Sequence, residues 1–262
     1  MSLVPSVNPD IDGVLKVAVV GEFQIGKSTL INCILKQNKA ETGQRGGGIS
    51  TTHKNSSYSL QGRFEIIDTP GFNAGDMDDE TAEQAIKEAE VVLVVKSRKQ
   101  LDDTYRTIIR RIKEKRALFL FNCSNPECWS PDDDNNSEIC EIIGHQLKNE
   151  ALDKPFVPIN GKIVTPVNIL WASFGLNLTD EDDSKKISRY LRNEEICESR
   201  DDTVLRQVAF SKSGFAEIQD YIENLPLNLL LHALQNCDKL ASDFADTFCD
   251  KFFELVSSKE EA

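Results

Sequence analysis

Residues 21–29 read "GEFQIGKST", and Gly21, Gly26, Lys27 and Ser28 fit the pattern G-x-x-x-x-G-K-S/T at every required position. The spacing suits a phosphate. Gly21 lets the chain leave a strand and turn sharply, and Gly26 lets the backbone approach an anion closely. Successive backbone N–H groups then point inward as an anion nest, reinforced by the free N–H groups of a helix starting at Lys27. Lys27 would reach the β- and γ-phosphates, and the Ser28 hydroxyl would ligate Mg²⁺. A metal-side carboxylate is offered by "IIDTPG" (66–71), with Asp68 at the carboxyl end of an apolar strand. Gly71 can offer a backbone N–H to the γ-phosphate and act as a hinge. A mobile "TGQRGGGISTTHKN" lies between the two, and a threonine there could close over Mg²⁺; Thr52 is the first choice and Thr51 the alternate.

These groups need a scaffold that delivers strand ends and helix starts to one edge. Unbroken apolar runs recur: "LKVAVV", "RFEIIDT", "VVLVV", "ALFLFN" and "VNILWAS". Such runs suit parallel strands covered on both faces. Helical spacing separates them in "STLINCILKQ", at 79–89 and at 102–115, so the expected fold is an α/β sheet with crossover helices. "SYSLQGRFEII" reads as a hairpin turning at Gln61-Gly62, which adds an antiparallel edge strand. Residues 125–136 read as a polar loop. "LTDEDDSKKISRYL" reads as a helix capped by Thr179, part of an insertion that continues into "RNEEICESRDD". Leu227, Leu230, Leu234, Cys237, Ala241, Phe244, Phe248, Phe252 and Leu255 step by threes and fours, which predicts a C-terminal amphipathic helix over 226–257. The expected division is a nucleotide domain over 1–225 and a helical extension over 226–262.

At 262 residues the chain suits one large domain with an appendage. A net charge of −13 argues against a nucleic-acid partner and against adsorption to anionic lipid, leaving membrane contact only indirect. Seven cysteines form no disulfide or zinc pattern and read as free thiols of a cytoplasmic protein. The N-terminal stretch lacks the basic and apolar regions of a signal peptide.

"GEFQIGKST", "STT" and "DTPG", in this order, resemble the translation-factor-related class of P-loop GTPases, closest to the Era-like and dynamin-like branches. The resemblance covers roughly residues 12–225. It implies a Ras-like α/β fold that binds GTP or GDP with Mg²⁺ on Ser28, Thr52 and Asp68, and it counts Gln24, Ile25 and Thr29 among the nucleotide-binding residues. "ILWASFG" resembles the base-contacting Ser-Ala loop, with Ala172 and Ser173 in reversed order. "SGFAEIQDYIENL" resembles the last helix of dynamin-like GTPase domains. Bacterial dynamin-like proteins, including those named for enterotoxin output, carry a helical region beyond that point.

Two departures from the family pattern bear on chemistry. Where the family has Asn-Lys-x-Asp, this chain has "FNCSN": Asn122 is retained and Asn125 replaces the aspartate. An aspartate accepts two guanine N–H bonds, whereas Asn125 offers one acceptor and one donor, so weaker guanine preference is expected. The alternative for "FNCSN" is a strand end with a local Asn turn. Secondly, Phe72 stands where Ras-like enzymes have a water-orienting glutamine. Catalysis then falls to Lys27, to Thr52 and to Gln24, which either ligates K⁺ or Na⁺ or caps loop backbone groups. Arg45 reads as a charge-neutralising finger or a solvated loop arginine. The leading expectation is a GTPase, slow alone and stimulated by dimerisation or by a helical partner. The alternatives are a nucleotide-gated binding module with vestigial hydrolysis and an ATPase on the same scaffold.

Overall fold

The computed structural model of the chain describes residues 14–42, 55–60, 62–72, 76–112, 115–123 and 134–225. In chain order the elements are β1 (Leu15–Val20), α1 (Lys27–Leu35), β2 (Ser56–Leu60), β3 (Phe64–Asp68), α2 (Asp76–Glu88), β4 (Val91–Lys96), α3 (Asp103–Ile112), β5 (Arg116–Asn122), α4 (Asp134–Asn149), β6 (Val164–Val167), α5 (Ile169–Gly175), α6 (Glu181–Asn193), α7 (Asp202–Lys212) and α8 (Phe215–Glu223). Among the described residues the strands form one sheet in the order β2-β3-β1-β4-β5-β6. All neighbours are parallel except β2 with β3, which pair antiparallel from Ser56↔Asp68 to Leu60↔Phe64. The chain reverses between them at Gly62, whose φ of 65° suits glycine. This is the expected α/β fold, with β2 as the antiparallel edge.

The apolar runs are unbroken because both sheet faces are covered. Ala18, Val20, Val92, Val94, Ala117 and Phe119 pack in one cluster with residues of α2, α3 and α4. Their neighbours Val17, Val19, Leu93, Leu118 and Leu120 point the other way by strand alternation and are equally buried. A separate cluster joins α5, α6 and α7 through Trp171, Phe174, Ile187, Leu191, Leu205 and Ala209. Residues 1–218 form one compact unit and residues 219–262 a second, of which 219–225 are described.

Three local readings of the sequence differ from the structure. "VNILWAS" is not a strand: β6 ends at Val167 and Ile169 opens helix α5. An apolar run this short has no period that separates a strand from a buried helix. Asn168 decides it, because its side chain accepts the Trp171 N–H at 3.0 Å and caps the helix. Pro166, which cannot donate to a ladder, is tolerated because β6 is an edge strand. Helix α6 is capped not by Thr179 but by Asp180, which accepts from Asp183 N at 2.7 Å; Thr179 bonds the Ser184 hydroxyl instead. The polar stretch 125–136 ends inside α4, which begins at Asp134. The helix expected over 226–257 lies outside the described residues.

Candidate functional site

β1 is the central switch point of the sheet: β3 lies on one side and β4 on the other. Ligands of α/β sheets bind beyond the carboxyl end of such a strand, and the loop Gly21–Gly26 stands there. Gly21 has φ 153°, and a Cβ on it would lie 2.3 Å from the Val95 carbonyl oxygen. Gly26 is the residue before α1, with φ 95° and ψ 20°. Gln24 is also left-handed, at φ 58°, and its side chain is exposed. Ile25 is buried, and Lys27, Ser28 and Thr29 form the first turn of α1.

The Lys27 ammonium folds back over this loop, donating to Glu22 O at 2.9 Å and more weakly to Gly21 O at 3.4 Å. Two of its three donors are thereby spent on backbone, which holds the charge over the nest. Burial lowers its pKa to about 8, against the opposing pull of Asp68 and Glu22. The Ser28 hydroxyl donates to Asp68 Oδ2 at 2.8 Å, so residues 40 positions apart meet at one point. Burial pushes the Asp68 carboxyl above its usual range, while Ser28 and Lys27 pull it down.

Asp68 Oδ1 is buried without a hydrogen-bond partner. A buried orphan oxygen is costly, and a hard cation relieves that cost. One carboxylate and one hydroxyl beside a phosphate nest suit Mg²⁺, which keeps waters and takes substrate phosphates as ligands. Among the described residues no group of three or more His, Cys, Asp or Glu could hold a metal by itself.

The segment after Asp68 is fastened to the phosphate loop. Thr69 Oγ1 donates to Val19 O at 2.7 Å, and Phe72 N donates to Gly21 O at 3.1 Å. A Cβ on Gly71 would lie 2.6 Å from Phe23 Cα and 2.7 Å from Phe23 N. Phe72 is buried, with the Arg111 guanidinium 5.8 Å over its ring and Arg111 paired to Glu83 at 2.7 Å. That ring has no group to orient a water.

Asn122 donates from Nδ2 to Ile25 O at 2.9 Å and accepts the Ile169 N–H at 3.1 Å through Oδ1. It ties the phosphate loop to the start of α5. Cys123, next in the chain, donates its N–H to Val167 O at 3.0 Å. Ala172 and Ser173 are not in a base-contacting loop. Both lie inside α5, buried, one turn beyond the β6–α5 junction, because the helix starts at the Asn168 cap. The junction that Asn122 touches is Val167–Ile169. Thr51, Thr52, Arg45 and Asn125 lie outside the described residues.

A family model described as "50S ribosome-binding GTPase" matches residues 16–123, the span from β1 through the phosphate loop and Asp68 to the end of β5. Residues 16–123 are similar to the P-loop GTPase domains of the Der, Era and MnmE type. GTPase Der of Lactobacillus acidophilus is 32% identical over 120 residues, 42% of this chain and 28% of its own length. GTPase Era of Pseudomonas fluorescens is 31% identical over 158 residues, 52% of each chain. The tRNA modification GTPase MnmE of Pseudothermotoga lettingae is 26% identical over 263 residues, 92% of this chain and 51% of its own. The chain thus spans from about a quarter to about half of these relatives. A crystal structure of Era with MgGDPNP and nucleotides of 16S ribosomal RNA covers 68% of this chain and 57% of that one at 21% identity. Its TM-score is 0.45, so the fold rests on the strand order above and not on this overlay.

Two results are expected of this site. Phosphate needs Lys27 charged, and binding removes a lysine poised at about 8 from the neutral side of its titration. Nucleotide affinity should therefore be flat below that pH and weaken above it, by up to roughly tenfold per pH unit. Calorimetry in two buffers near pH 8 should show proton uptake on binding; none would contradict the shift. The free protein runs the opposite way. Its unfolded chain holds the proton up to 10.5, so the cost of burying Lys27 is relieved between about 8 and 10.5 and stability from this group rises with pH.

Ser28→Ala should remove most of the Mg²⁺ contribution to nucleotide affinity. The ratio of Kd in EDTA to Kd in Mg²⁺ should fall by roughly 10- to 150-fold, one charge-assisted contact of about 1.5–3 kcal/mol. A ratio equal to wild type would take Ser28 off the metal.

Proposed function

We propose that the chain is a Mg²⁺-dependent GTPase that converts GTP to GDP and phosphate slowly alone and faster when two copies meet or a partner binds. The carrying observation is the meeting of Ser28 Oγ with Asp68 Oδ2 at 2.8 Å beside an unpartnered Asp68 Oδ1, under a lysine held over the loop. In this reading the loop amides and Lys27 cradle the phosphates, and Ser28 and Asp68 hold Mg²⁺. Thr52 closes over the metal when the γ-phosphate is present, with Thr51 as the alternate. The metal supplies charge neutralisation on the phosphate oxygens. Gly71 offers its N–H to the γ-phosphate.

Slow basal turnover is proposed because Phe72 is buried at the place where a water-orienting side chain would stand. Dimerisation would then order the threonine loop. The exposed Gln24 side chain can bring its amide oxygen to K⁺ or Na⁺ there. GTP is proposed over ATP on the kinship with the named GTPases, with Asn125 weakening the preference. Asn125→Asp should tighten GTP relative to ATP and XTP.

We place the chain in the dynamin-like branch on the extra helices α6 and α7 ahead of α8, with 1–225 as nucleotide domain and 226–262 as the start of a helical region. Reduced thiols at Cys33, Cys140 and Cys197 suit the proposed cytoplasmic setting. No helix among the described residues is long and apolar enough to cross a membrane.

Buried Phe72 also favours a second reading, a nucleotide-gated binding module with vestigial hydrolysis. Phosphate release measured against protein concentration separates the two. The GTPase reading expects a specific rate that climbs with concentration and with K⁺; the module reading expects a flat rate near background with intact binding.

A further inference from the structure

Behind the phosphate loop lie two fully buried ionisable side chains that phosphate and metal binding leave unused. Tyr105 of α3 and Lys96 of β4 are both 0% exposed. A phenylalanine and a methionine would fill the same space without burying a hydroxyl and an ammonium, so their polar atoms are expected to make contacts that offset desolvation. They do. The Tyr105 hydroxyl donates to Val95 O at 2.7 Å and accepts the Glu22 N–H at 3.4 Å. The Lys96 ammonium sits 4.0 Å from the Tyr105 ring centroid and 3.4 Å from Asp102 Oδ2. Asp102 in turn accepts the Tyr105 backbone N–H at 3.1 Å.

The Glu22 N–H belongs to the same peptide plane as the Gly21 carbonyl. A trans peptide points the two in opposite directions, so seating the N–H on Tyr105 aims the carbonyl away from α3. That carbonyl is where the two halves of the site meet: it accepts from Phe72 N at 3.1 Å and from Lys27 Nζ at 3.4 Å. The plane needs a restraint. Gly21 has no side chain, its φ is 153°, and glycine turns more freely than other residues. Loss of the Tyr105 hydroxyl would free the plane to rotate and would take an acceptor from both Lys27 and the segment after Asp68.

We infer that Tyr105 is a positioning residue for the nucleotide site: its hydroxyl fixes the Gly21–Glu22 peptide, and the Lys96 ammonium on its ring holds the ring in place. The inference rests on the GTPase reading above. It makes α3 a structural member of the phosphate site, acting through the Gly21–Glu22 peptide.

The test is Tyr105→Phe, which keeps the ring and the Lys96 contact and deletes only the hydroxyl. KM for GTP and Kd for GDP should rise about 3- to 10-fold with kcat within about twofold, the signature of lost uniform binding worth one neutral hydrogen bond. A merely structural tyrosine would lower the melting temperature and leave KM unchanged well below it; that outcome overturns the inference. Hydrogen exchange supplies a second measurement. In the wild-type free protein the Glu22 amide should be protected, and in Tyr105→Phe its protection should fall while that of Val19 and Val20 in β1 holds. A Glu22 amide that exchanges at the rate of an unstructured chain in wild type overturns the inference by itself. Wild-type protein that binds neither GTP nor GDP would instead sink the GTPase reading, and the exchange result would still decide the brace.

Discussion

Lys27→Ala is expected to abolish nucleotide binding for practical purposes, weakening Kd by about 100-fold or more. The side chain carries the positive charge over the loop and keeps one donor for phosphate, a charge-assisted contact worth about 1.5–3 kcal/mol; the loss of the loop's clamp brings the total to roughly 3 kcal/mol or more. The variant also loses the ammonium that bonds Glu22 O and Gly21 O, so the nest is no longer held shut. Fluorescence titration with a labelled GDP reads the effect directly. Circular dichroism should show an intact fold, because Leu30, Ile31, Ile34 and Leu35 anchor α1 in the interior without Lys27. Binding within a few-fold of wild type would show that the phosphate does not sit at this loop.

Gly71→Ala should uncouple the segment after Asp68 from the phosphate loop. The added methyl group meets backbone, Phe23 Cα at 2.6 Å and Phe23 N at 2.7 Å, so no side chain can swing aside to admit it. Either the Phe72–Gly21 hydrogen bond breaks or the loop itself moves. GTP turnover should fall by roughly 100-fold, since a displacement of about 1 Å costs that much where positioning carries catalysis. GDP affinity should change far less, because Lys27 and the loop amides remain. Single-turnover hydrolysis and GDP titration on the same preparation separate the two. Full turnover would mean that Gly71 packs against Phe23 without serving the γ-phosphate.

The phosphate loop was legible because chemistry fixes both its residue types and their spacing, and Asp68 was legible because it ends an apolar strand. The hairpin was legible at Gly62 for a backbone reason. What lies beyond β5 was read less well. "VNILWAS" is apolar throughout, and only Asn168, one residue whose side chain turns back on Trp171 N, converts it into a helix. That error carried Ala172 and Ser173 into a loop they do not occupy. Helices α4 and α7 went unread. α4 begins in an acidic run that looks like loop, and α7 begins at Asp202 behind a cap, Asp201, set in another acidic run. Tyr105 was visible as an apolar position of α3. Its hydroxyl contact was not, because Glu22 lies 83 positions away and nothing local marks the pair.

The central claim is a Mg²⁺–GTP site built on Lys27, Ser28 and Asp68. Equilibrium titration of the wild-type chain with GTP, GDP, ATP and XTP, each with Mg²⁺ and with EDTA, tests it most directly. Saturable binding of GTP and GDP is expected, tighter with Mg²⁺, with GTP preferred to ATP by a modest margin. Binding of ATP tighter than GTP, or GTP affinity indifferent to Mg²⁺, would contradict it.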